Sequence, residues 1–434
     1  MRVQLAYGRD GLTVDLPATT HVIVSPWVPG VTDEAEALRA ALRRPIGSPP
    51  LAAKVKPGDR VVITHSDITR ATPNDRILPV LIAELESAGV RRDDITLLNA
   101  LGTHRRQTPD ELRRLLGDVV FDNYRCLQHD AFDEANLVPL GATARGHPVR
   151  INRAYMDADV RILTGFIEPH FFAGYSGGPK AVLPALSGWE SVFTNHGYAM
   201  IADANATWAE LDKNPIWREM AEVAQRTNPT FLLNVTLNAQ HEITGVFAGD
   251  LLEAHRVGCE SVRAHNMVAV DDLFDIVITT NSGYPLDQNL YQTVKGMSAA
   301  ARIVREGGAI IMAAGCEDGV PNHGKYAELL RRGGSPQGVL DMVAAPGFSE
   351  HDQWQVQLQA IIQLKADVYV YSDGLTDEQI AEALFIPCRD IAATVASLLD
   401  RYGPDARIAV LPEGPQTVAY LHHGNLTSVG QALD

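Results

Sequence analysis

Between Gly165 and Gly188 the chain reads GFIEPHFFAGYSGGPKAVLPALSG, which places a histidine, a glycine-rich loop and a lysine within sixteen residues. Imidazole is the side chain suited to proton transfer near neutral pH and to binding a transition metal. Besides His170, two further histidines, His104 in LGTHR and His196 in TNHGY, stand on loops or short turns beside polar or glycine neighbours. Each alone reads plainly as a structural histidine. Three together with Lys180 make an assembled acid–base site the stronger reading. Their spacing matches no zinc pattern such as H-E-x-x-H, so a metal would need most of its ligands from distant side chains or from a cofactor.

Gly174, Gly177 and Gly178 let the main chain approach a ligand or adopt positive φ, and Lys180 falls where such a turn would enter a helix, a setting that favours an anion. This is not a Walker loop, because G-x-x-x-x-G-K-[ST] cannot be laid on GYSGGPKA. Lys180 therefore has three readings: a surface lysine, a phosphate-binding lysine, or a covalent attachment point for a cofactor. In SDITRATP, Asp67, Thr69 and Arg70 form a compact polar turn. Asp67 or Thr72 could simply cap the next helix, whereas the Arg70 guanidinium at a strand end can grip a carboxylate or phosphate by two parallel bonds. Tyr291, Gln292 and Lys295 open a helix in NLYQTVKG, and the i, i+3 spacing of Gln292 and Lys295 lets both face one ligand or both face solvent. Trp354 in HDQWQVQ is a core aromatic or one wall of a pocket.

These residues need elements to hold them. DRVVITHS, DDITLLNA, DVRILTG and FDIVITTN are short β-branched runs of buried-strand character, separated by helical patterns such as NDRILPVLIAELESAGV and TPDELRRLLG. The phrase strand, polar loop, helix recurs, and open α/β sheets bind ligands at strand carboxyl ends. The fold class expected is α/β: two α/β domains with mainly parallel sheets and the active site in the cleft between them. Residues 1–268 would carry His104, His170 and Lys180, and residues 269–434 would contribute Tyr291, Gln292 and Lys295. Residues 1 to about 30 read as short strands of an edge sheet, FLLNVTLN with EITGVFAGD as a hairpin-like return, and 187–198 as a short helix returning His196 toward Lys180.

Composition bounds the function. At 46% hydrophobic and 21% charged residues the chain is of ordinary globular type, and no apolar run is long enough to span a bilayer. A net charge of −16 without a basic stripe argues against a nucleic-acid partner. The scattered arginine pairs read as solvated helix faces. Four cysteines lack CxxC spacing and read as buried thiols of a reducing compartment; with no signal-like apolar segment in MRVQLAYGRDG, the expected location is cytoplasmic.

Taken together, DITR at 67–70, GTHR at 102–105, PHFFAGYSGGPK at 169–180, NHGY at 195–198, YQTVKG at 291–296 and DQWQ at 352–355 strongly resemble the nickel-dependent lactate racemase family. The resemblance implies a nickel pincer nucleotide, a pyridinium-3-thioamide-5-thiocarboxylate mononucleotide joined covalently to Lys180, with His196 as nickel ligand. His104 and His170 would be the two acid/bases; Arg70, Tyr291, Gln292 and Lys295 would bind substrate. Asp67 and Thr69 would help place the nucleotide or orient Arg70, and Trp354 would pack on the cofactor ring. The implied activity is a racemase or epimerase inverting C2 of a 2-hydroxy acid through a 2-keto acid, by reversible hydride transfer to the cofactor, with cofactor-synthesis proteins acting upstream. Which acid is left open. A non-catalytic nucleotide- or organic-acid-binding homologue and a metal-dependent hydrolase are the alternatives.

Overall fold

A strand with parallel neighbours on both sides reads as a short uninterrupted apolar run, and Val61–His65, Val160–Phe166 and Phe274–Thr280 are such strands, buried almost throughout. The computed structural model describes residues 1–321 and 324–422. It forms two compact units. The first comprises Trp27–Asn195 and Ala209–Ala264; the second comprises Met1–Pro26, His196–Trp208 and the described residues from His265 onward. Neither is continuous in sequence: Met1–Pro26 and His196–Trp208, both before the expected boundary at 268, group with the later block.

The first unit is built on a six-stranded sheet in the order Ile243–Gly249, Phe231–Leu237, Val160–Phe166, Val61–His65, Ile95–Asn99, Arg125–Gln128. All neighbours are parallel except the hairpin Phe231–Leu237/Ile243–Gly249, the return expected from its two strand-like runs. Alternate side chains share a face, so Val61, Ile63, Ile95, Leu97 and Ile162 meet Leu38 and Leu42 of helix Glu34–Arg43, and Ile77, Leu78, Leu81 and Leu85 of helix Asn74–Ser87. Each such fully buried Leu or Ile contributes roughly 2 kcal/mol. Helix Pro109–Leu116 starts as its sequence dictates, with Pro109 first and a capping box between Thr108 and Glu111. Asn74–Ser87 does not: its cap is Pro73 without a side-chain bond, so neither Asp67 nor Thr72 serves as the cap that their positions suggested.

The second unit has its own six-stranded sheet, entirely parallel, in the order Ile386–Pro387, Ala366–Tyr371, Val304–Ala313, Phe274–Thr280, Ile408–Leu411, His21–Val22. The amino-terminal strands thus find their place far along the chain. The hairpin Arg2–Leu5/Leu12–Asp15 buries Val3, Leu5 and Val14 against Ile276, Ile278, Ile311 and Val410, and His21–Val22 closes the sheet edge. Three cysteines are buried as expected, but Cys126 is only half-buried, because its strand is the sheet edge. Among the described residues no helix is long and apolar enough to cross a membrane.

Candidate active site

Parallel strands send all their following loops to one end of a sheet. In the first unit that end receives Ser66–Arg70 after Val61–His65, the turn bearing His104 after Ile95–Asn99, and the glycine loop after Val160–Phe166. Asp67, Thr69, Arg70, His104, His170 and Lys180 therefore collect in one unit, whereas His196, Tyr291, Gln292, Lys295 and Trp354 belong to the other.

Asp67 is buried, and its carboxylate is fully used. Oδ1 accepts from the Thr69 hydroxyl at 2.7 Å and the Thr69 N–H at 3.2 Å, while Oδ2 meets Nδ1 of His104 at 2.5 Å. Burial opposes ionisation of Asp67, but His104, Arg70 and Thr69 together outweigh it and lower its pKa to about 2. The carboxylate thus stays ionised and requires a hydrogen on His104 Nδ1, which leaves Nε2 of the neutral ring as an acceptor. The His104 side chain remains 39% exposed, open to a reactant. Thr69 orients Asp67, and Asp67 orients His104; this chain of contacts, rather than a helix cap, accounts for the polar turn. Arg70 sits 3.7 Å from Glu168, a neighbour that its sequence position did not reveal.

His170 is held differently. Its Nδ1 accepts the N–H of Ala173 at 3.2 Å, which in the neutral ring puts the hydrogen on Nε2. The imidazole is buried against Phe171 and Phe172, with ring centroids at 4.9 and 4.6 Å. The two neutral rings thus present opposite Nε2 atoms, an acceptor on His104 and a donor on His170.

The glycines of the loop serve the protein's own packing. Gly177 and Gly178 adopt φ of 72° and 51°; a Cβ on Gly177 would lie 2.6 Å from Asn234 Oδ1, and one on Gly178 would lie 2.4 Å from the His255 ring. The Gly178 N–H, a candidate anion donor from sequence, donates to Asn234 Oδ1 at 2.8 Å instead. Lys180 stands in a four-residue 3-10 turn, Gly178–Ala181, and not at the start of a helix. His255, pushed down to a pKa of about 4 by burial and so neutral, donates from Nε2 to the Ser176 carbonyl at 2.9 Å. Ser176 Oγ in turn accepts from the Glu168 N–H and donates to the Phe166 carbonyl, both at 2.9 Å. Asn234, His255 and Ser176 were missed in the sequence. A lone Asn inside the apolar run FLLNVTL was the available signal, since a buried amide demands partners.

In the second unit His196 is buried, and its ring meets Trp354 edge-on, 5.4 Å between centroids and 89° between planes. The Trp354 indole N–H donates to the Tyr291 hydroxyl at 3.0 Å, and the Gln355 amide bonds the Tyr291 carbonyl. His196, Trp354 and Tyr291 are thus brought together as one group. Gln292 and Lys295 share the half-buried face of helix Leu290–Ala301, which Asn289 caps, while Thr293 and Val294 turn inward.

Histidines and a lysine on the loops beyond parallel strands mark this chain as an α/β enzyme. Comparison with known proteins narrows the class. Residues 7–209 match the lactate racemase N-terminal domain, and residues 270–419 match the lactate racemase C-terminal domain. A lactate racemase of Thermoanaerobacterium thermosaccharolyticum is 33% identical over 422 residues, 96% of this chain and 98% of that one. A lactate racemase of Lactiplantibacillus plantarum is 36% identical over 383 residues, 88% of this chain and 90% of its own. The structure of the T. thermosaccharolyticum lactate racemase apoprotein superposes with a TM-score of 0.89 at 32% identity, covering 96% of this chain and all of that one (100%). A Thermotoga maritima protein at 17% identity, with a TM-score of 0.71 over 92% of this chain and 100% of its own, shares the fold. The chain belongs to the lactate racemase family and, with it, to the isomerases.

Proposed function

We propose that this protein inverts C2 of a 2-hydroxy acid, lactate or a close relative, with His104 and His170 as the two acid/bases. What carries the reading is their opposite hydrogen placement: Asp67 leaves His104 Nε2 as an acceptor, and the Ala173 N–H leaves His170 Nε2 as a donor. Racemisation needs such a pair, because a bond broken on one face of the substrate is remade on the other. His104 takes the hydroxyl proton of one enantiomer at Nε2 and becomes an imidazolium; His170, in its imidazolium form, gives a proton to the keto oxygen on the return and goes back to the neutral ring, and the roles exchange in the reverse direction. Arg70, Tyr291, Gln292 and Lys295 are assigned to the substrate's carboxylate and oxygens, where charge-assisted bonds fix its orientation.

The nickel pincer nucleotide is the cofactor proposed, tethered at Lys180 with His196 as the protein's metal ligand. The donor set fits. Among the described residues no group of three or more His, Cys, Asp or Glu side chains could hold a metal, so a single buried imidazole suits an ion whose other ligands come with the cofactor. When bound, the group supplies a hydride acceptor, so that C2 passes through a planar 2-keto acid. The clasp of Asn234 and His255 on the glycine loop keeps Lys180 in a defined place for attachment. Trp354, packed on His196, orients that ring.

The test is intact mass with nickel analysis of protein produced alongside the cofactor-building enzymes, wild type against Lys180→Ala. A covalent adduct with about one nickel per chain, lost in the variant, is expected. A folded wild-type protein carrying neither would defeat the proposal. Chiral 2-hydroxy acids are then screened for the substrate.

A further inference from the structure

We propose that Asn74 and Asn99 are positioning residues for the Asp67–His104 pair: each buried amide closes, at its base, one of the two turns that carry those side chains. The inference rests on the reading of His104 as an acid/base.

The two turns leave adjacent parallel strands of the first unit. His65, the last residue of Val61–His65, and Asn99, the last of Ile95–Asn99, are register partners, and the Ala100 N–H donates to the His65 carbonyl at 2.9 Å. Beyond that point the ladder between the strands ends, so the directions of Asp67 and His104 depend on contacts made within and between the turns. In the first turn Asn74, which opens helix Asn74–Ser87, reaches back to donate from Nδ2 to the Ser66 carbonyl at 3.3 Å, and the Thr72 hydroxyl donates to Ser66 Oγ at 2.9 Å. The residue before Asp67 is thus fastened by its main chain and by its side chain. In the second turn Asn99 reaches forward and donates from Nδ2 to Gln107 Oε1 at 3.0 Å. Gln107 is itself clamped to the edge strand, its N–H donating to Gln128 Oε1 at 2.7 Å and its carbonyl accepting from Gln128 Nε2 at 2.9 Å. Each amide spans eight residues, and His104 lies inside the second span.

These turns have other supports. Thr69 and His104 hold the Asp67 carboxylate at its far end, and the Gly102 N–H donates to the Ala185 carbonyl at 2.9 Å. What the two asparagines add is closure of the base. Stability alone does not account for them: Asn74 is 1% exposed and Asn99 0%, and among the described residues neither Oδ1 has a partner. A buried acceptor left unpaired offsets most of what the donor's bond contributes, and an apolar side chain of like volume would carry no such cost. The closed turns meet at the 2.5 Å contact of Asp67 Oδ2 with His104 Nδ1, which tolerates little displacement of either base. A misplacement of about 1 Å made away from the reacting atoms can cost about 10²-fold in rate.

Two readouts on the full chain test this. The first needs no turnover: the low-field proton resonance of His104 Nδ1–H, identified in wild-type protein by its loss in Asp67→Asn. Asn74→Leu and Asn99→Leu should each move it toward the range of an ordinary imidazole N–H. The second is kcat by chiral assay of protein carrying the Lys180 adduct. Each variant should lower kcat about ten-fold, yet by less than about two-fold in an Asp67→Asn background, where the pair is already broken. Gln107→Glu keeps an acceptor for Asn99 and should retain kcat within about two-fold, while Gln107→Leu should match Asn99→Leu. Where a leucine variant does not fold by circular dichroism, Asn74→Ser or Asn99→Ser, too short to reach the partner, takes its place. An unmoved resonance in the single variants overturns the inference, as does an equal loss of kcat in both backgrounds, the mark of a general structural role. Wild-type protein that carries the adduct and racemises no 2-hydroxy acid overturns the functional reading, whereas wild-type turnover with an unmoved resonance in every variant overturns only the inference.

Discussion

His104 and His170 leave the same end of one sheet and are held by opposite means. A buried, ionised carboxylate holds His104 on a partly exposed turn, and a main-chain N–H holds His170 between two phenylalanines inside a loop clasped by Asn234 and His255. The first arrangement depends on charge and the second on backbone geometry. They should therefore fail under different insults.

The largest effect tests whether both are needed at all. His104→Ala and His170→Ala should each lower kcat for racemisation by about 10²–10⁴-fold with the Lys180 adduct intact, measured by chiral assay of both enantiomers. Full turnover in both variants would remove the acid–base pairing. Next, Asp67→Asn should lower kcat by about 10²-fold, less than loss of the ring itself, because the imidazole remains but is no longer held in one tautomer. At the Ala173 N–H only Ala173→Pro deletes the donor, and it fixes φ as well, which is the asymmetry in practical form.

Acid should separate the two regions. The folded pKa of Asp67, about 2, lies below its ordinary 3.8, so its contribution is present above pH 3.8 and is lost as pH falls toward 2. That contribution is on the order of 2 kcal/mol and should be missing from the acid limb of Asp67→Asn in urea unfolding followed against pH. The clasp begins to weaken earlier. The pKa of His255 is lowered from 6.5 to about 4, so stability from the neutral ring is full above pH 6.5 and falls as pH drops through 4.

Gly178→Ala strikes the backbone-held region alone. With φ at 51° and a Cβ 2.4 Å from the His255 ring, it should cost about 1–3 kcal/mol in unfolding free energy and reduce adduct formation, leaving the Asp67–His104 contact untouched. The smallest effect expected is from Thr69→Val, which keeps the shape and removes one hydrogen bond to Asp67. About 1 kcal/mol, or a few-fold in kcat, should be lost. A loss as large as that of Asp67→Asn would make Thr69 more than a support.

Much of this was legible in the residues. Short β-branched runs alternating with capped helical patterns are local signals, so the parallel α/β sheets, the capping box at Thr108 and the hairpin ending at Gly249 could be read directly. The loops with His104, His170 and Lys180 were recognisable because glycine, proline and polar residues gather there just beyond buried strands, where an α/β sheet holds its ligands. Residue type and spacing also determined the helical face carrying Gln292 and Lys295. Tertiary structure decided what no local pattern encodes: that Met1–Pro26 complete the sheet of residues 270 onward, that Asp67 serves His104 and not a helix, and that the loop glycines make room for Asn234 and His255. Each is a contact between residues dozens to hundreds apart, made by polar groups whose partners are chosen by burial, and burial exists only once the chain has folded.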